Sequence, residues 1–448
     1  MTGWSLFVVP PAGEGFSPHL SWNMKSIARR ASLRLAIGRI DRKDIVLLIE
    51  TAKSETVIAK KLIRNPALFQ PIDIKLTQEQ CKQVIEEGIH IRQPAGEQKV
   101  FIIRKAVSEI GHAPALTPHL FIPLSEDDRL AQFLDRLASL DSLNEFNWRN
   151  GCILDGLWML SRFSNEDRYS TATKTQLDIY YNYLDSPHGP TLDRLPGMEN
   201  TLPWATLVRY KPEHHSIDPL LAHWEAHRRH DGAICDGDTL VAETNYTVAY
   251  PMAAIGRVRG DESLIDDALD QLRIHIRVLK SEGNLFLRCT LSGHLYFRNW
   301  CRGIAWYFLG MVRTLEESGR ESGVDEIIDE IKRVAAWVST YQRDDGLWHT
   351  FIDDPETPTD TSGSSGIASG IAAAIRCRWV DNKLAATSEA ALSGLRDKLT
   401  LDGWLTGVAP GNVGGEAFQR HPYRATQQMG MGLMAGLVAE LTIARPSR

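Results

Sequence analysis

Hydrophobic positions follow two different patterns along this chain. Up to about residue 125, short runs rich in β-branched residues are bounded by charged, proline or glycine breaks, which is typical of strands. These runs lie at residues 32–37, 44–49, 56–59, 100–103 and 119–122. Thr77 and Gln80 have the spacing of a capping box and predict a helix over residues 77–87. We therefore predict a small β-rich α+β domain with an accessory role, carbohydrate binding being the alternative.

After residue 126 the apolar residues recur at helical spacing. Six segments with little polar face begin near Trp148, Glu199, Val241, Trp300, Ser362 and Ala425, at intervals of 42 to 63 residues. Amphipathic helices are predicted beside them at about 128–140, 166–184, 216–229, 261–280, 324–343 and 385–399. The helix at 128–140 is the predicted partner of the last segment, near Ala425, which no later amphipathic helix follows.

Helices that are apolar on most faces must be covered by other helices. An inner ring of six such helices inside an outer ring of six amphipathic ones satisfies this requirement and the long repeat. The sequence thus predicts a mainly α protein, an (α/α)6 barrel or six-hairpin toroid over residues 126–448, preceded by the β-rich domain at 1–125. A superhelical solenoid is the alternative, and the even number of helices favours the closed ring.

Four acidic-glycine pairs recur where outer helices are predicted to end, and each glycine suits a left-handed C-cap. The pairs are Asp231-Gly232, Glu282-Gly283, Asp345-Gly346 and Asp402-Gly403. A polar stretch follows each pair and precedes the next inner helix. We expect these stretches to share one rim, at the inner-helix N-termini, where loop residues could form a site.

Composition narrows the functional classes. The chain has 448 residues, a formal net charge of −6, and ten of its twelve tryptophans at or after Trp148. An acidic balance argues against nucleic-acid binding, and no apolar run is long enough to span a membrane. No secretory signal is visible at the start, and six scattered cysteines favour reduced thiols, so a cytoplasmic location is expected.

The rim segments combine tryptophans, carboxylates, histidines and arginines, which suits a saccharide. Aromatic faces stack on sugar rings, and arginine can grip a sugar carboxylate with two hydrogen bonds. The candidate substrate-binding residues are Trp148, Asn245, Tyr246, Trp300, Arg302, Trp348, His349, Asp360, Ser362 and Tyr423.

Residues 300–306, Trp-Cys-Arg-Gly-Ile-Ala-Trp, resemble the W-x-R-G-x-x-W signature of glycoside hydrolase families 88 and 105. Residues 345–349 and 360–364 resemble the D-G-x-W segment of these families and the E-x-S-x-S segment that follows it, with Asp360 in place of a glutamate. These families are unsaturated glucuronyl and rhamnogalacturonyl hydrolases with an (α/α)6 barrel. The resemblance covers about residues 145–445 and implies a glycoside hydrolase that removes a terminal unsaturated uronic acid.

The resemblance also implies roles for individual residues. In these families an aspartate protonates the C4–C5 double bond of the uronic acid, water adds at C5, and the resulting hemiketal falls apart. The principal acid falls here at Glu243, and its partner falls at Glu199; both are glutamates where the family has aspartate. His294 corresponds loosely to a catalytic-site histidine of these families. Independently of the resemblance, Arg302 is a charged residue near the start of a predicted buried helix and therefore needs an anionic partner, so we expect it to clamp the uronate carboxylate.

Several alternatives remain. Two glutamates also suit an exo-β-glucuronidase acting on saturated glucuronides. A polysaccharide lyase would use a pair such as Tyr246 and His294, a sugar epimerase would use two histidines, and a helical toroid could bind without catalysis. No cofactor is expected. No metal is expected either, because the candidate ligands His223 and His227 lie on a predicted outer helix. The expected partner is a uronic-acid-containing oligosaccharide, with no nucleic acid and no membrane, and a homodimer is a candidate assembly.

Overall fold

The computed structural model describes residues 4–23, 31–39, 43–106, 113–121, 128–184 and 197–443. Its contacts form two compact units. The first comprises Met1–Asn144, Thr400–Trp404 and Ala425–Gln427, and the second comprises Glu145–Leu399, Leu405–Arg424 and Gln428–Arg448. The domain boundary predicted at residues 125 and 126 lies outside the described residues and stays a prediction.

The first unit is built from antiparallel strands, as the short β-branched runs predict. The strands are β1 Trp4–Val9, β2 Ala31–Ala36, β3 Ile45–Thr51, β4 Val57–Ile63, β5 Pro71–Leu76, β6 Ile89–Arg92, β7 Val100–Ala106 and β8 His119–Phe121. They pair in the orders β1-β7, β5-β2-β8 and β4-β3-β6. Each predicted run has a counterpart, while β1, β5 and β6 were not predicted; residue 122 lies outside the described residues.

Two helices belong to the same unit. They are α1 Gln78–Glu87 and α2 Arg129–Leu137. Both halves of the predicted capping box are present at the start of α1, since the Thr77 hydroxyl accepts from the backbone of Gln80 and the Gln80 side chain accepts from the backbone of Thr77. The predicted partner of the last hairpin, residues 128–140, corresponds to α2.

A buried ionic cluster holds the segment Thr400–Trp404 within this unit. Arg34 is 1% exposed and binds both Asp73, at 2.7 Å, and Asp402. Arg136 donates to the same Asp402 carboxylate at 3.1 Å. The ring of Trp404 lies 5.5 Å from the guanidinium carbon of Arg34 and 5.3 Å from that of Arg136. The turn that contains Asp402 thus has a structural role here.

The second unit is mainly helical, as predicted. Its helices are α3 Trp148–Phe163, α4 Asp167–Leu184, α5 Trp204–Tyr210, α6 Ile217–Ala226, α7 Tyr250–Arg259, α8 Glu262–Val278, α9 Cys301–Ser318, α10 Asp325–Ser339, α11 Thr361–Arg376, α12 Ala385–Asp397, α13 Gly415–Arg420 and α14 Gln428–Ile443. Its strands are β9 Thr239–Val241, β10 Lys280–Ser281, β11 Asn284–Thr290 and β12 Leu295–Arg298, which the sequence did not predict.

Six of these helices contact one another in a closed cycle. The order is α3, α5, α7, α9, α11, α14 and back to α3. These are the six buried segments of the sequence pattern. The contact between α3 and α14 requires glycine, because a Cβ on Gly156 would lie 2.3 Å from the carbonyl oxygen of Gly432, and one on Gly432 would lie 2.2 Å from that of Cys152. Small residues therefore let the first and last members of the cycle approach each other.

The acidic-glycine pairs were predicted to cap the ends of the outer helices, but they lie beyond those ends. All four glycines have positive φ, between 78° and 87°, as expected. They do not cap the helices, which end several residues earlier. In three cases the pair sits in a tight turn that the backbone closes: Arg229 donates to Ala233, Arg343 to Leu347, and Thr400 to Trp404. Glu282-Gly283 joins β10 to β11. The repeated feature is a hairpin turn between an amphipathic helix and the next rim segment.

Candidate active site

Glu199 and Glu243 occupy corresponding places at the starts of neighbouring buried helices. Glu199 lies in a short 3-10 turn, Met198–Thr201, that leads into α5. Glu243 follows β9 and precedes a π-helical turn, Asn245–Ala249, that leads into α7. The helices α5 and α7 contact each other, and the charge of Glu243 acts on Glu199, so the two carboxyl groups lie near each other. Single π-helical turns are frequent at functional sites.

A buried histidine supports the backbone beside Glu243. His275 is fully buried on α8, and its Nδ1 donates to the carbonyl oxygen of Gln271 at 2.6 Å. Its Nε2 lies 2.7 Å from the hydroxyl oxygen of Thr244, which also lies 2.8 Å from the carbonyl oxygen of Val241. These contacts fix the chain on both sides of Glu243, so this carboxylate is held on a rigid support.

Burial raises the pKa of both carboxyl groups, and nearby negative charges add to the rise. The pKa of Glu199 is raised to about 7, first by burial and then by the charges of Glu243 and Asp236. Burial also raises the pKa of Glu243, while the positive charge of Arg288 opposes that rise. One carboxyl group is therefore poised to keep its proton near neutral pH while a cation favours ionisation of the other, as an acid–base pair requires.

Arg288 was not among the predicted site residues. It lies on β11, directly opposite Val241 of β9 on one side and Tyr296 of β12 on the other. Because Glu243 comes two residues after Val241, this register brings the guanidinium to Glu243, with 4.0 Å between Nη2 and Oε1. Leu285, Leu287 and Cys289 are apolar residues at alternate positions, and this spacing could have predicted a strand at residues 284–290. It could not have predicted that β9 is the strand's partner.

Two polar atoms at this place have no hydrogen-bond partner among the described residues. They are Oε2 of Glu243 and Nε of Arg288, and both are buried. Leaving such atoms unpaired costs free energy, and active sites are a common place for that cost. A bound substrate could supply the missing partners.

Arg302 has a different environment. It is 2% exposed, and its guanidinium donates to the carbonyl oxygens of Ala409 and Pro410 at 2.6 and 2.7 Å and to the hydroxyl of Ser362 at 3.2 Å. The carboxylate of Asp360 lies 3.8 Å away. The described protein thus already engages both terminal nitrogens of the predicted clamp.

Asp360 and Ser362 act at the start of α11. Oδ1 of Asp360 accepts from the backbone and the hydroxyl of Ser362, at 3.0 and 2.6 Å, and from the backbone of Ala409 at 3.0 Å. Both side chains are fully buried. The aspartate is therefore an N-cap that also fixes the chain beneath Arg302.

The tryptophans of the motif segments are buried too. Trp300 is 1% exposed, lies against the Arg302 guanidinium at 4.6 Å, and points its indole nitrogen to Gln419. Trp348 is fully buried and donates to the carbonyl oxygen of Val338 at 2.8 Å. His349, at 9% exposure, contacts Thr357 and Arg343 through its two ring nitrogens. The contacts of these three side chains join segments of the protein to each other.

Asn245 and Tyr246 point into the helical cycle. The hydroxyl of Tyr246 donates to Asp155 at 2.6 Å, and its ring stacks on Trp306 at 5.7 Å. Burial and the Asp155 carboxylate raise the pKa of Tyr246 well above its usual value. The side-chain nitrogen of Asn245 donates to the carbonyl oxygen of Tyr307 at 3.2 Å.

The remaining predicted residues are more accessible. Trp148 is half-buried at the start of α3, with its ring 5.9 Å from that of Trp306. Tyr423 is half-buried and stacks on Phe418. His294 is exposed at the turn between β11 and β12 and stacks on Tyr296 at 5.8 Å. In the described part of the chain, the contacts of His294 are with Thr290 and Tyr296 rather than with Glu199 or Glu243, and its catalytic role stays a prediction.

The described residues include neither a cluster of metal ligands nor a helix suited to crossing a membrane. No three histidine, cysteine, aspartate or glutamate side chains gather there in a way that could hold a metal ion. No described helix combines the length and apolar character needed to cross a bilayer. All six cysteines are free thiols, five of them buried.

Comparison with known proteins gives matches in sequence and in fold. A sequence model described as Glycosyl Hydrolase Family 88 matches residues 128–443. A curated relative, "Unsaturated rhamnogalacturonyl hydrolase YesR" of Bacillus subtilis (strain 168), is 28% identical over 210 residues, or 45% of this chain. That match spans 59% of the relative's length.

Solved structures of other proteins have a fold similar to that of this chain. A possible member of the GH105 family from Klebsiella pneumoniae has a TM-score of 0.62 at 20% identity, covering 74% of this chain and 97% of the other. An unsaturated glucuronyl hydrolase from Bacillus sp. GL1, described as responsible for glycosaminoglycan degradation, has a TM-score of 0.54 at 14% identity, covering 72% and 97%.

Proposed function

Because the chain belongs to glycosyl hydrolase family 88, we propose that it removes a terminal unsaturated uronic acid from an oligosaccharide. The proposal is carried by the Glu199–Glu243 pair, in which burial keeps a proton on one carboxyl group near neutral pH. The curated relative, named as an unsaturated rhamnogalacturonyl hydrolase, supports the same substrate class. We also propose that the closed cycle of helices is the inner ring of an (α/α)6 barrel.

The electrostatics favour a definite division of labour. Glu199, with its pKa raised to about 7, donates the proton to C4 of the C4–C5 double bond. Glu243, which Arg288 favours as a carboxylate, accepts a proton from the water that adds at C5. The hemiketal formed in this way opens and releases the remaining oligosaccharide. This reverses the sequence-based expectation, in which Glu243 is the principal acid.

Hydrolysis of a saturated β-glucuronide is the second candidate. It needs one protonated and one ionised carboxyl group beside the glycosidic bond, and the same pair of glutamates supplies both. A lyase reaction has less support, because the Tyr246 hydroxyl already donates to Asp155 and its pKa is raised rather than lowered. We therefore propose no base role for Tyr246.

One experiment separates the two candidates. The protein is incubated with a lyase-generated unsaturated disaccharide and, separately, with a saturated glucuronide. Loss of the ultraviolet absorbance of the conjugated double bond is the expected result and marks hydration. Release of free glucuronic acid from the saturated substrate alone would support the second candidate, and turnover of neither substrate would contradict both. The Glu243→Gln variant, which keeps the side chain's size, is the control for a contaminating hydrolase.

A further inference from the structure

We propose that Arg288, rather than Arg302, binds the carboxylate of the uronic acid and sets the preference of this site for acidic sugars. This inference rests on the proposed function, because it assigns a part of the substrate to a part of the same site. The two arginines differ in how their hydrogen-bond donors are used, in their exposure, and in their places relative to the two glutamates.

The donors of Arg302 are already engaged. Each of its terminal nitrogens donates to a backbone carbonyl oxygen, and one also donates to Ser362. At 2% exposure, this guanidinium could reach a ligand only by giving up bonds inside a buried environment. Removing a partner from a buried polar group costs about 1–3 kcal/mol, more for a charged group.

Arg288 retains unused donors. Its ion pair with Glu243 joins Nη2 to Oε1 over 4.0 Å, which is longer than a hydrogen bond. Its Nε is buried without a partner among the described residues, while 27% of the side chain is exposed. A carboxylate approaching from the exposed side could take two parallel N–H bonds from this planar fork, a geometry that lysine cannot provide.

Aromatic rings define the position of this guanidinium. Its central carbon lies 6.0 Å from the ring of Tyr296 and 6.0 Å from that of Phe297, both of which belong to β12. Arg288 itself lies on β11, paired with β12. A side chain placed by a hairpin and two rings loses little further freedom on binding, and this favours a specific contact.

The charges of the site make such a contact necessary. Two glutamates, with Asp236 near both, would repel a uronate carboxylate. The positive charge of Arg288 lowers the pKa of both Glu199 and Glu243, whereas that of Arg302 has a smaller effect on Glu243. A cation in this place can offset the repulsion while the substrate's reacting carbons reach the glutamates. We therefore expect acidic sugars to depend on Arg288 far more than neutral ones do.

The test compares a 4-nitrophenyl glycoside of the unsaturated uronic acid with its methyl ester, which has the same shape and no carboxylate charge. For Arg288→Gln we expect kcat/KM to fall about 100-fold on the acid and no more than about 5-fold on the ester. Arg288→Lys should fall between the wild type and Arg288→Gln on the acid. The matched control is Arg298→Gln on β12, since Arg298 is 58% exposed and pairs with Asp353; its acid-to-ester ratio should equal that of the wild type.

Equal losses on acid and ester in Arg288→Gln would overturn the inference and show that Arg288 acts only through Glu243. In that case the acidic limb of the pH–rate profile would move to higher pH.

Calorimetry with glucuronic acid and its methyl ester separates this inference from the proposed function. A wild type that turns over neither glycoside would contradict the function, but an acid-over-ester binding preference that disappears in Arg288→Gln would still uphold the role of Arg288. No such preference in the wild type would overturn it.

Discussion

The Glu199–Glu243 region and the region around the Trp-Arg-Gly motif both lie at the starts of buried helices, yet their arginines are in different conditions. The guanidinium of Arg302 is buried and donates to two backbone carbonyl oxygens and a hydroxyl, although Oδ2 of Asp360, 3.8 Å away, has no hydrogen-bond partner among the described residues. Beside Glu243, the Arg288 side chain is 27% exposed and the Glu243 side chain 12%, and the buried atoms Oε2 of Glu243 and Nε of Arg288 have no partner among the described residues. The first arrangement stabilises a fold, whereas the second awaits a ligand.

This difference shows what a motif can encode. The segment around residues 300–306 carries the family resemblance, and its side chains mostly join the start of α9 to the loop at 409–410 and to the start of α11. The two glutamates with raised pKa values and the arginine with unused donors, Arg288, come from segments that carry no motif. Substitutions in the two regions should therefore have different consequences.

The largest expected effect is on turnover in the carboxylate region. Glu243→Gln and Glu199→Gln should each lower kcat by about 10²–10⁴-fold, because an amide can neither donate the proton nor accept one. Both variants should fold, since neither side chain joins structural segments. Steady-state rates with the substrate identified above, together with circular dichroism, check this expectation.

The pH dependence supplies the control for that result. In the wild type, kcat/KM should fall as the pH rises through about 7, where the buried Glu199 loses its proton. The alkaline limb should be missing from the residual rate of Glu199→Gln. Near-normal kcat in Glu243→Gln would show that the pair is not the catalytic one.

The next effect is on stability in the motif region. Arg302→Met leaves Asp360 and two carbonyl oxygens without their cation, and should lower the free energy of unfolding by about 3–5 kcal/mol. The matched variant Arg288→Met removes a half-exposed arginine whose ion pair with Glu243 is long. It should change the free energy of unfolding by less than about 1 kcal/mol. Urea titration of both proteins measures the difference. A stable Arg302→Met that loses only acidic substrates would restore the clamp role to Arg302.

The smallest expected effect is a gain in stability. The folded-state pKa of Glu199 is about 7, above its ordinary value of 4.5, so ionising this group opposes folding increasingly between these two pH values and fully above them. At pH 8 Glu199→Gln should therefore be more stable than the wild type by about 1–2 kcal/mol, after allowance for solvent screening. At pH 4 the difference should vanish.

The control for this measurement is Glu213→Gln, at an exposed position in the turn before α6. It should show no such pH-dependent gain. A variant of Glu199 that is less stable than the wild type at pH 8 would mean that this carboxylate supports the fold, and would weaken its assignment as the proton donor.

Much of the fold could be predicted because the information is local. Helical spacing of apolar residues located the six buried helices and their amphipathic neighbours within a few residues, and the Thr77–Gln80 spacing located a helix start. Strands β9 to β12 were missed because they are short and lie between strong helical signals. That omission hid Arg288, whose place depends on pairing with a strand some fifty residues earlier.

By itself, the sequence determined the order of the elements, the two composition regions, the resemblance to a hydrolase family and the pair of glutamates at helix starts. These follow from spacings and from residue types, which a chain carries before it folds. Only the tertiary structure decided which arginine is available to a ligand. The partners of Arg302 come from positions 107 and 108 residues away, and they bury it; the strands beside Arg288 leave it half-exposed next to Glu243. Burial and hydrogen-bond satisfaction are properties of long-range contacts, so no local pattern could distinguish the two.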